Sequence, residues 1–495
     1  MAQSEIKLIP GTPNDANRDY LPEAIKGSKM VVNENGNNSQ PYPERLIEHQ
    51  ERLVDDVVDI WYEYVPVSYD GKQQVPLVIS MHGGLMTGWG QAVYTSWTHV
   101  AEKEDVIVIF PNAHSRRFWM IECEEEKIEE LTTPNSSGVY MHPFPKNVEE
   151  NHDVRFVLAL IDHVCTRYNI DPERIYMQGM SLGNSMTAMI ARYYGYRFAA
   201  MAGSAGPSTV GLLFDKNGVP NNMGGPVDIW QTRMELDGNP PGSDHDVETT
   251  IIKNRDYWLQ INGCNELPQI RIDGQNNMAF YKGENADFVY REVKNRDHGQ
   301  TFDDAQRAWD YLFSGVRRIS NGQLVRTESN LKRKGDNFAL AVADNCSYVW
   351  FNNQKVPIDG RTFTWNKLKY HGLNGDSIIR GSYIMIPVAS LAQIFGADYI
   401  EEKNSGVSSL TLSDGRNLTF ARGCFACTLD NRVRDMLCEA VERDGSLYIS
   451  AEWFCLDVMG LHTTTCNHAL YATDHYAILS SNMARLIRDM LTSDD

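Results

Sequence analysis

Long apolar runs are missing from this 495-residue chain. No stretch reaches the ~18 residues that a bilayer-crossing helix needs, so no membrane span is expected. Positive charge is in deficit: 46 Lys and Arg face 65 Asp and Glu, a formal net charge of −19. That balance argues against nucleic acid and against an anionic membrane surface as partner. Cysteine is sparse and odd in number, nine in all, which excludes a disulfide scaffold. Cys424-Phe-Ala-Cys427 has no second C-x-x-C to complete a zinc site, and its spacing to Cys455, Cys466 and His468 is poor. Buried thiols or one disulfide are the reading there, with no metal and no cofactor expected. The opening Met1-Ala-Gln-Ser-Glu5 lacks the basic start and apolar core of a secretory leader. It suits either a cytoplasmic protein or one whose leader has been removed.

What is present is ordinary for a globular protein: 42% hydrophobic and 22% charged residues. The length makes two or three domains the prior. Residues 1–50 are polar and rich in Pro, Asn and Gly, and read as a surface arm. From about 55 to 315, strand-like runs alternate with helix-like ones. Val75 to Met81 and Val106 to Phe110 read as buried strands. Asp153 to Tyr168 carries apolar residues at helical spacing (Phe156, Val157, Leu160, Ile161, Val164). Further strands are expected at Ile175 to Gln178, Phe198 to Gly206, Val227 to Gln231 and Asp287 to Val293. Helices are expected from His245 to Leu259, capped by Asp244, and from Phe302 to Phe313, capped by Thr301. Such alternation is the mark of a mostly parallel sheet covered on both faces. Residues 112–150 interrupt it as a long insertion with an acidic cluster and several aromatics, either a lid or binding loop or a solvated excursion. A polar linker follows at 319–336. Residues 337–495 change texture to short strands and turns, a smaller α+β domain, with Tyr348 to Val356, Ser382 to Pro387 and Ser408 to Leu412 as examples.

The chemistry concentrates at Gly179-Met180-Ser181-Leu182-Gly183, between a short apolar strand and a Met- and Ala-rich helix. A G-x-S-x-G on a strand-to-helix corner is the nucleophile elbow of an α/β-hydrolase. The glycines are needed because the corner is sharp and the serine backbone strained. Ser181 is the candidate nucleophile and requires a base within hydrogen-bond reach. In the chain order serine, acid, histidine, His298 is the candidate base, since it follows a strand and precedes a helix. Asp237, in the loop after Val227 to Gln231, is the candidate acid, with Glu235 and Asp244 as rivals. The oxyanion hole calls for two N–H donors. One is that of Leu182. The other comes from His82-Gly83-Gly84, with Gly84 favoured and Leu85 as rival.

Several stretches together resemble one family. They are Tyr64-Val-Pro-Val-Ser-Tyr-Asp-Gly71, Pro76-Leu-Val, His82-Gly-Gly84, Tyr168-Asn-Ile-Asp-Pro-Glu-Arg-Ile-Tyr-Met-Gln-Gly-Met-Ser181 and Phe198-Ala-Ala. They resemble the polyhydroxybutyrate-depolymerase and feruloyl-esterase-like α/β-hydrolases over roughly residues 55–315. The resemblance implies carboxylic-ester hydrolysis through an acyl-serine. It carries over Ser181 and His298, and it marks Trp119, at a position where the family often places an aromatic, as a substrate contact. Met180, beside the nucleophile, is the other expected contact. Two departures stand out: Gln231-Thr-Arg-Met-Glu-Leu-Asp237 where the family has a His-Gly-Thr-x-Asp type stretch, and Asn184 where it has glycine. Near the C-terminus, Tyr383-Ile-Met-Ile-Pro-Val-Ala-Ser-Leu-Ala-Gln-Ile-Phe-Gly-Ala397 and Gly445 to Phe454 resemble the copper amine oxidase N-terminal-like domain, a module that implies no copper.

The expectation is therefore an α/β-hydrolase domain at 51–318 followed by the C-terminal domain. The activity expected is that of a serine carboxylesterase on a small or polymeric ester: hydroxycinnamoyl or acetyl esters of plant material, or polyesters. A serine peptidase and a non-catalytic surface- or glycan-binding protein are the alternatives. The appended module, a candidate for surface or glycan contact, favours a secreted or cell-surface location over the cytoplasm.

Overall fold

The computed structural model describes residue 40 and residues 42–493, apart from 115–116, 137, 139, 143, 328–331, 372–375 and 403–404. The expected N-terminal arm lies, as far as residue 39, outside the described residues. The chain divides into two compact units. One runs to Glu266 and adds Tyr281–Arg291 and Arg296–Arg333; the other takes Leu267–Phe280, Glu292–Asn295 and Lys334–Asp495.

The first unit is an α/β-hydrolase fold. Its strands are β1 (Leu46–Glu51), β2 (Asp59–Tyr64), β3 (Val75–Met81), β4 (Ile107–Pro111), β5 (Ile170–Met180), β6 (Ala200–Ser204) and β7 (Asp228–Met234). Beyond the hairpin β8 (Gln269–Asp273) and β9 (Asn276–Tyr281) comes β10 (Phe288–Val293). The order across the first unit is β1-β2-β4-β3-β5-β6-β7-β10. β2 runs antiparallel to β1 and β4, and β4-β3-β5-β6-β7 are parallel. Every residue of β3, β4 and β6 is buried, which is why these strands read as continuous apolar runs rather than alternating ones.

The helices of this unit include α1 (Gly88–Tyr94), α2 (Trp97–Glu104), α3 (Ile128–Thr132), α4 (His152–Arg167), α5 (Leu182–Tyr194), α6 (Val210–Leu213), α7 (Val247–Asn262) and α8 (Asp304–Tyr311). α4 buries Phe156, Val157, Leu160, Ile161 and Val164, the same stripe its spacing predicts.

Several local expectations need correcting. The end of the expected arm forms β1. Asp246, not Asp244, caps α7, its carboxylate accepting the Thr249 N–H at 2.7 Å, while Asp244 pairs with Lys127 at 2.7 Å. α8 begins at Asp304, after an Asp303 cap position rather than Thr301. Part of the expected linker forms a two-stranded hairpin, Val316–Arg318 with Leu324–Arg326.

In the second unit, one antiparallel sheet runs in the order Gln354–Pro357, Tyr348–Phe351, Ala339–Ala343, Ala469–Thr473, His462–Cys466. The stretch from Tyr348 to Val356, expected as short strands and turns, forms a hairpin. Asn352 and Asn353 turn it with φ of 47° and 64°, the paired positive values of a two-residue turn that matches strand twist. The β8–β9 hairpin belongs to this unit: Asp336 accepts the Ile272 N–H at 3.0 Å, and Asn277 donates to the Ile478 carbonyl at 3.0 Å. All nine cysteines are free thiols. Among the described residues no helix is long and apolar enough to cross a membrane.

Candidate active site

The elbow forms because two glycines let backbone meet backbone. β5 ends at Met180, and α5 starts at Leu182. A Cβ on Gly179 would run into the Gly183 carbonyl, and one on Gly183 would meet the carbonyl oxygens of Met81 and His82. Between them Ser181 sits at φ 55° and ψ −123°, a conformation that costs on the order of 1–3 kcal/mol unless its surroundings enforce it. They do: the Ser181 N–H donates to Ser204 O at 2.9 Å. Gly206, at φ 60°, packs so closely that a Cβ there would lie 2.6 Å from the Ser181 carbonyl oxygen. Asn184 is buried and uses its amide N–H₂ to hold the carbonyls of Ala205 and Gly206, the latter at 3.0 Å. It ties down the turn that presses on the serine.

Three residues far apart in sequence converge here. The Ser181 Oγ lies 2.9 Å from His298 Nε2, and His298 Nδ1 lies 2.9 Å from Asp237 Oδ1. The Asp237 side chain is 6% exposed and that of His298 54%. Hydrogen bonding to Asp237 raises the His298 pKa above its ordinary value, although burial opposes the shift. The acid loop is held by the Arg233 guanidinium, which donates to the Asp237 carbonyl. The Leu236 N–H joins it to the histidine loop, donating to Arg296 O at 2.8 Å. The histidine loop is anchored in turn by a buried ion pair, Arg291 with Asp304, whose carboxylate also accepts from Ser204 and Thr232.

The loop after β3 is set by His82. Its Nε2 accepts the Ala113 N–H at 2.9 Å, so Nδ1 carries the proton donated to Gly83 O at 2.6 Å. Full burial lowers its pKa to about 4, which keeps the ring neutral. The Leu85 N–H is spent on Arg117 O at 2.9 Å. Among the described residues no hydrogen bond takes up the N–H of Gly84 or that of Leu182, and a Cβ on Gly84 would lie 2.8 Å from Leu182 Cδ1. The Leu182 N–H also stands at the positive end of the α5 dipole. This neighbourhood is able to activate a hydroxyl and to receive negative charge on an adjacent oxygen.

The two expected substrate contacts are corrected. Trp119 has no exposed surface; its indole N–H donates to His82 O at 2.7 Å and its ring packs on the imidazole at 4.8 Å. Met180, 6% exposed, lies under Gly83, where a glycine Cβ would come within 2.9 Å of Met180 Cε. Both side chains support the loop from behind.

A shallow cleft opens beside Leu182 and Ser185, walled by Ile121 to Glu124, Lys127, Leu131, Pro207 to Thr209, Leu212 and Pro240 to Gly242. Part of the 112–150 insertion thus lines a cleft at the first turn of α5. Glu122, paired with the buried Arg192 and bonded by Tyr193 Oη at 3.1 Å, fixes that wall.

One residue that sequence reasoning passed over organises the site from below. Gln178 Oε1 accepts from Ser80 Oγ (2.8 Å), Trp97 Nε1 (3.0 Å) and Gln91 Nε2 (3.3 Å), and its Nε2 donates to Gln300 Oε1 at 3.2 Å. A glutamine closing the apolar run from Ile175, one position before the first glycine, was the available signal.

No family model matches the chain. A stretch of 145 residues, 29% of this chain, is 25% identical to the bifunctional acetylxylan esterase/xylanase XynS20E of Neocallimastix patriciarum and spans 18% of that protein. Among solved structures the chain is similar to acetyl xylan esterase from Aspergillus awamori, at 14% identity and TM-score 0.37, over 53% of this chain and 98% of that one. It is also similar to a thermostable esterase, at 16% identity and TM-score 0.33, over 51% and 56%.

Proposed function

We propose that this protein is a serine hydrolase of carboxylic esters. The observation that carries the reading is the pair of 2.9 Å contacts linking Ser181, His298 and Asp237. His298 Nε2 takes the Ser181 proton as Oγ attacks the ester carbonyl carbon. The Gly84 and Leu182 N–H groups receive the resulting oxyanion. The imidazolium, steadied by Asp237, returns the proton to the departing alkoxide, which leaves as the alcohol. Water then enters, His298 takes its proton, and the acyl-serine breaks to free acid and restored Ser181.

The substrate class proposed is an acetyl or hydroxycinnamoyl ester of plant material, or a polyester. The cleft walls mix proline and leucine side chains with Ser208, Thr209 and Lys127, which suits an ester carrying both apolar and polar groups. The partly matched relative carries acetylxylan esterase in its name.

A serine-directed fluorophosphonate tests the mechanism. The wild-type protein should be labelled once and Ser181→Ala not at all, with p-nitrophenyl acetate turnover lost in parallel. Equal labelling of the two proteins rejects the proposal. Methyl ferulate, acetylated xylan and polyhydroxybutyrate then rank the substrates.

A further inference from the structure

A second cluster of chemistry-bearing residues lies in the same unit, outside the catalytic groups. Asp59 opens β2, His114 stands in the loop after β4, and His152 opens α4. One ligand atom from each, a carboxylate oxygen and two imidazole nitrogens, lie within 4.8 Å of one another. The two rings are 4.4 Å apart, centroid to centroid.

Partners orient His152 and Asp59 so that each leaves a ligand atom turned toward the cluster. His152 Nδ1 contacts Asp55 Oδ2 at 3.1 Å, and Arg155 grips Asp55 at 2.8 and 3.1 Å. His152 Nε2 then faces Asp59 Oδ1 at 3.0 Å. Asp59 is buried, and its other oxygen accepts the Leu53 N–H at 3.3 Å. His114 is held through its backbone, its N–H donating to Asp153 Oδ1 at 3.1 Å, and among the described residues its ring makes no hydrogen bond.

A carboxylate on one nitrogen of a histidine, with the other nitrogen turned toward further ligand types, is the outer-sphere arrangement that fixes tautomer and ring angle in metal sites. We propose that Asp59, His114 and His152 bind a divalent transition ion, zinc by the donor set, with water completing the coordination. Two imidazoles and one carboxylate suit zinc at about 2.0–2.2 Å, whereas calcium and magnesium call for oxygen ligands. Tetrahedral bonds of that length place ligand atoms about 3.4 Å apart. With the ligand atoms now within 4.8 Å of one another, closing to that spacing needs at most about 1.4 Å of movement, which rotation of the exposed His114 ring supplies. The ion would join β2, the loop after β4 and α4. That loop leads on to Trp119, the residue bonded to His82, and the water-completed fourth position leaves the ion open to solvent.

The competing arrangement is metal-free, with His152 as an imidazolium shared by Asp55 and Asp59. His114 separates the two because it takes no part in that bridge. The full-length protein, stripped of metal, is titrated with zinc chloride by calorimetry, and its Tm is measured with and without zinc. The expected result is one ion bound and a higher Tm, both lost in His114→Ala. Affinity in Asp55→Asn should fall about 10–100-fold. Cobalt(II) should give d–d bands without thiolate charge transfer. No binding by the wild-type protein, equal binding by His114→Ala, or thiolate charge-transfer bands from the free cysteines would each overturn the assignment.

Discussion

The carboxamides of Gln178 and Gln300 meet at 3.2 Å, joining the strand that delivers the serine to the loop that delivers the histidine. Gln178 lies three residues before Ser181 and Gln300 two after His298. The spacing between nucleophile and base is therefore set partly by an amide pair beneath them.

Gln178→Leu keeps the volume but strips the acceptor from Ser80, Gln91 and Trp97. A buried donor left without a partner costs about 1–3 kcal/mol. The variant should lose at least ~2 kcal/mol in urea unfolding, and ester turnover should fall further than this loss explains.

Asp237→Asn should lower kcat by about 10⁴-fold, the scale seen when a triad carboxylate is made neutral. Asp237 raises the His298 pKa, so in the wild-type protein the active neutral imidazole is lost as pH falls through a value above the ordinary ~6.5. Without the carboxylate the acid limb of the kcat/KM profile should move to lower pH. A residual profile with an unchanged acid limb would contradict the assignment of Asp237.

His82 gives a stability signature. Its folded pKa is lowered to about 4, below the ~6.5 of an unfolded chain. Between those values the unfolded chain binds the proton and the native state does not, so stability is present above pH 6.5 and lost as pH falls toward 4. The difference amounts to about 3 kcal/mol. His82→Asn retains a donor for Gly83 O but has nothing to titrate. Its unfolding free energy should fall less steeply over that range, measured by denaturant melts at stepped pH.

Gly183→Ala drives a methyl group into the carbonyls of Met81 and His82, which belong to β3 and its exit and have little room to retreat. The cost should reach about 3 kcal/mol, the upper end of overpacking. Circular dichroism melting and fluorophosphonate labelling should decline together.

Much of this arrangement was legible in the sequence because it depends on order and spacing. Gly179 and Gly183 flank Ser181 on a strand-to-helix corner, and loops after successive parallel strands collect at one end of a sheet. That geometry points to His298 and, with Glu235 and Asp244 as rivals, to Asp237; in the fold His298 lies within hydrogen-bonding distance of both Asp237 and Ser181. What escaped was what depends on three-dimensional neighbours. Trp119 reads, by the resemblance, as a substrate-contacting aromatic in an irregular stretch, yet it is fully buried against His82. Asp244 and Asp246 both suit a cap, and only the helix phase chooses between them. Asn352 and Asn353 hide a turn inside an apolar run, since asparagine tolerates positive φ without announcing it. Gln178 looks like a polar accident until three donors from β3, α1 and α2 surround it.

The half-open imidazole of His298 has a kinetic corollary. If the serine becomes acylated, the water that frees it comes straight from bulk solvent to a base already at the rim. Deacylation would then wait on no rearrangement of the protein, and added alcohols would compete with water as acceptors. The enzyme should accordingly exchange ester alcohols as readily as it hydrolyses them, in proportion to nucleophile concentration.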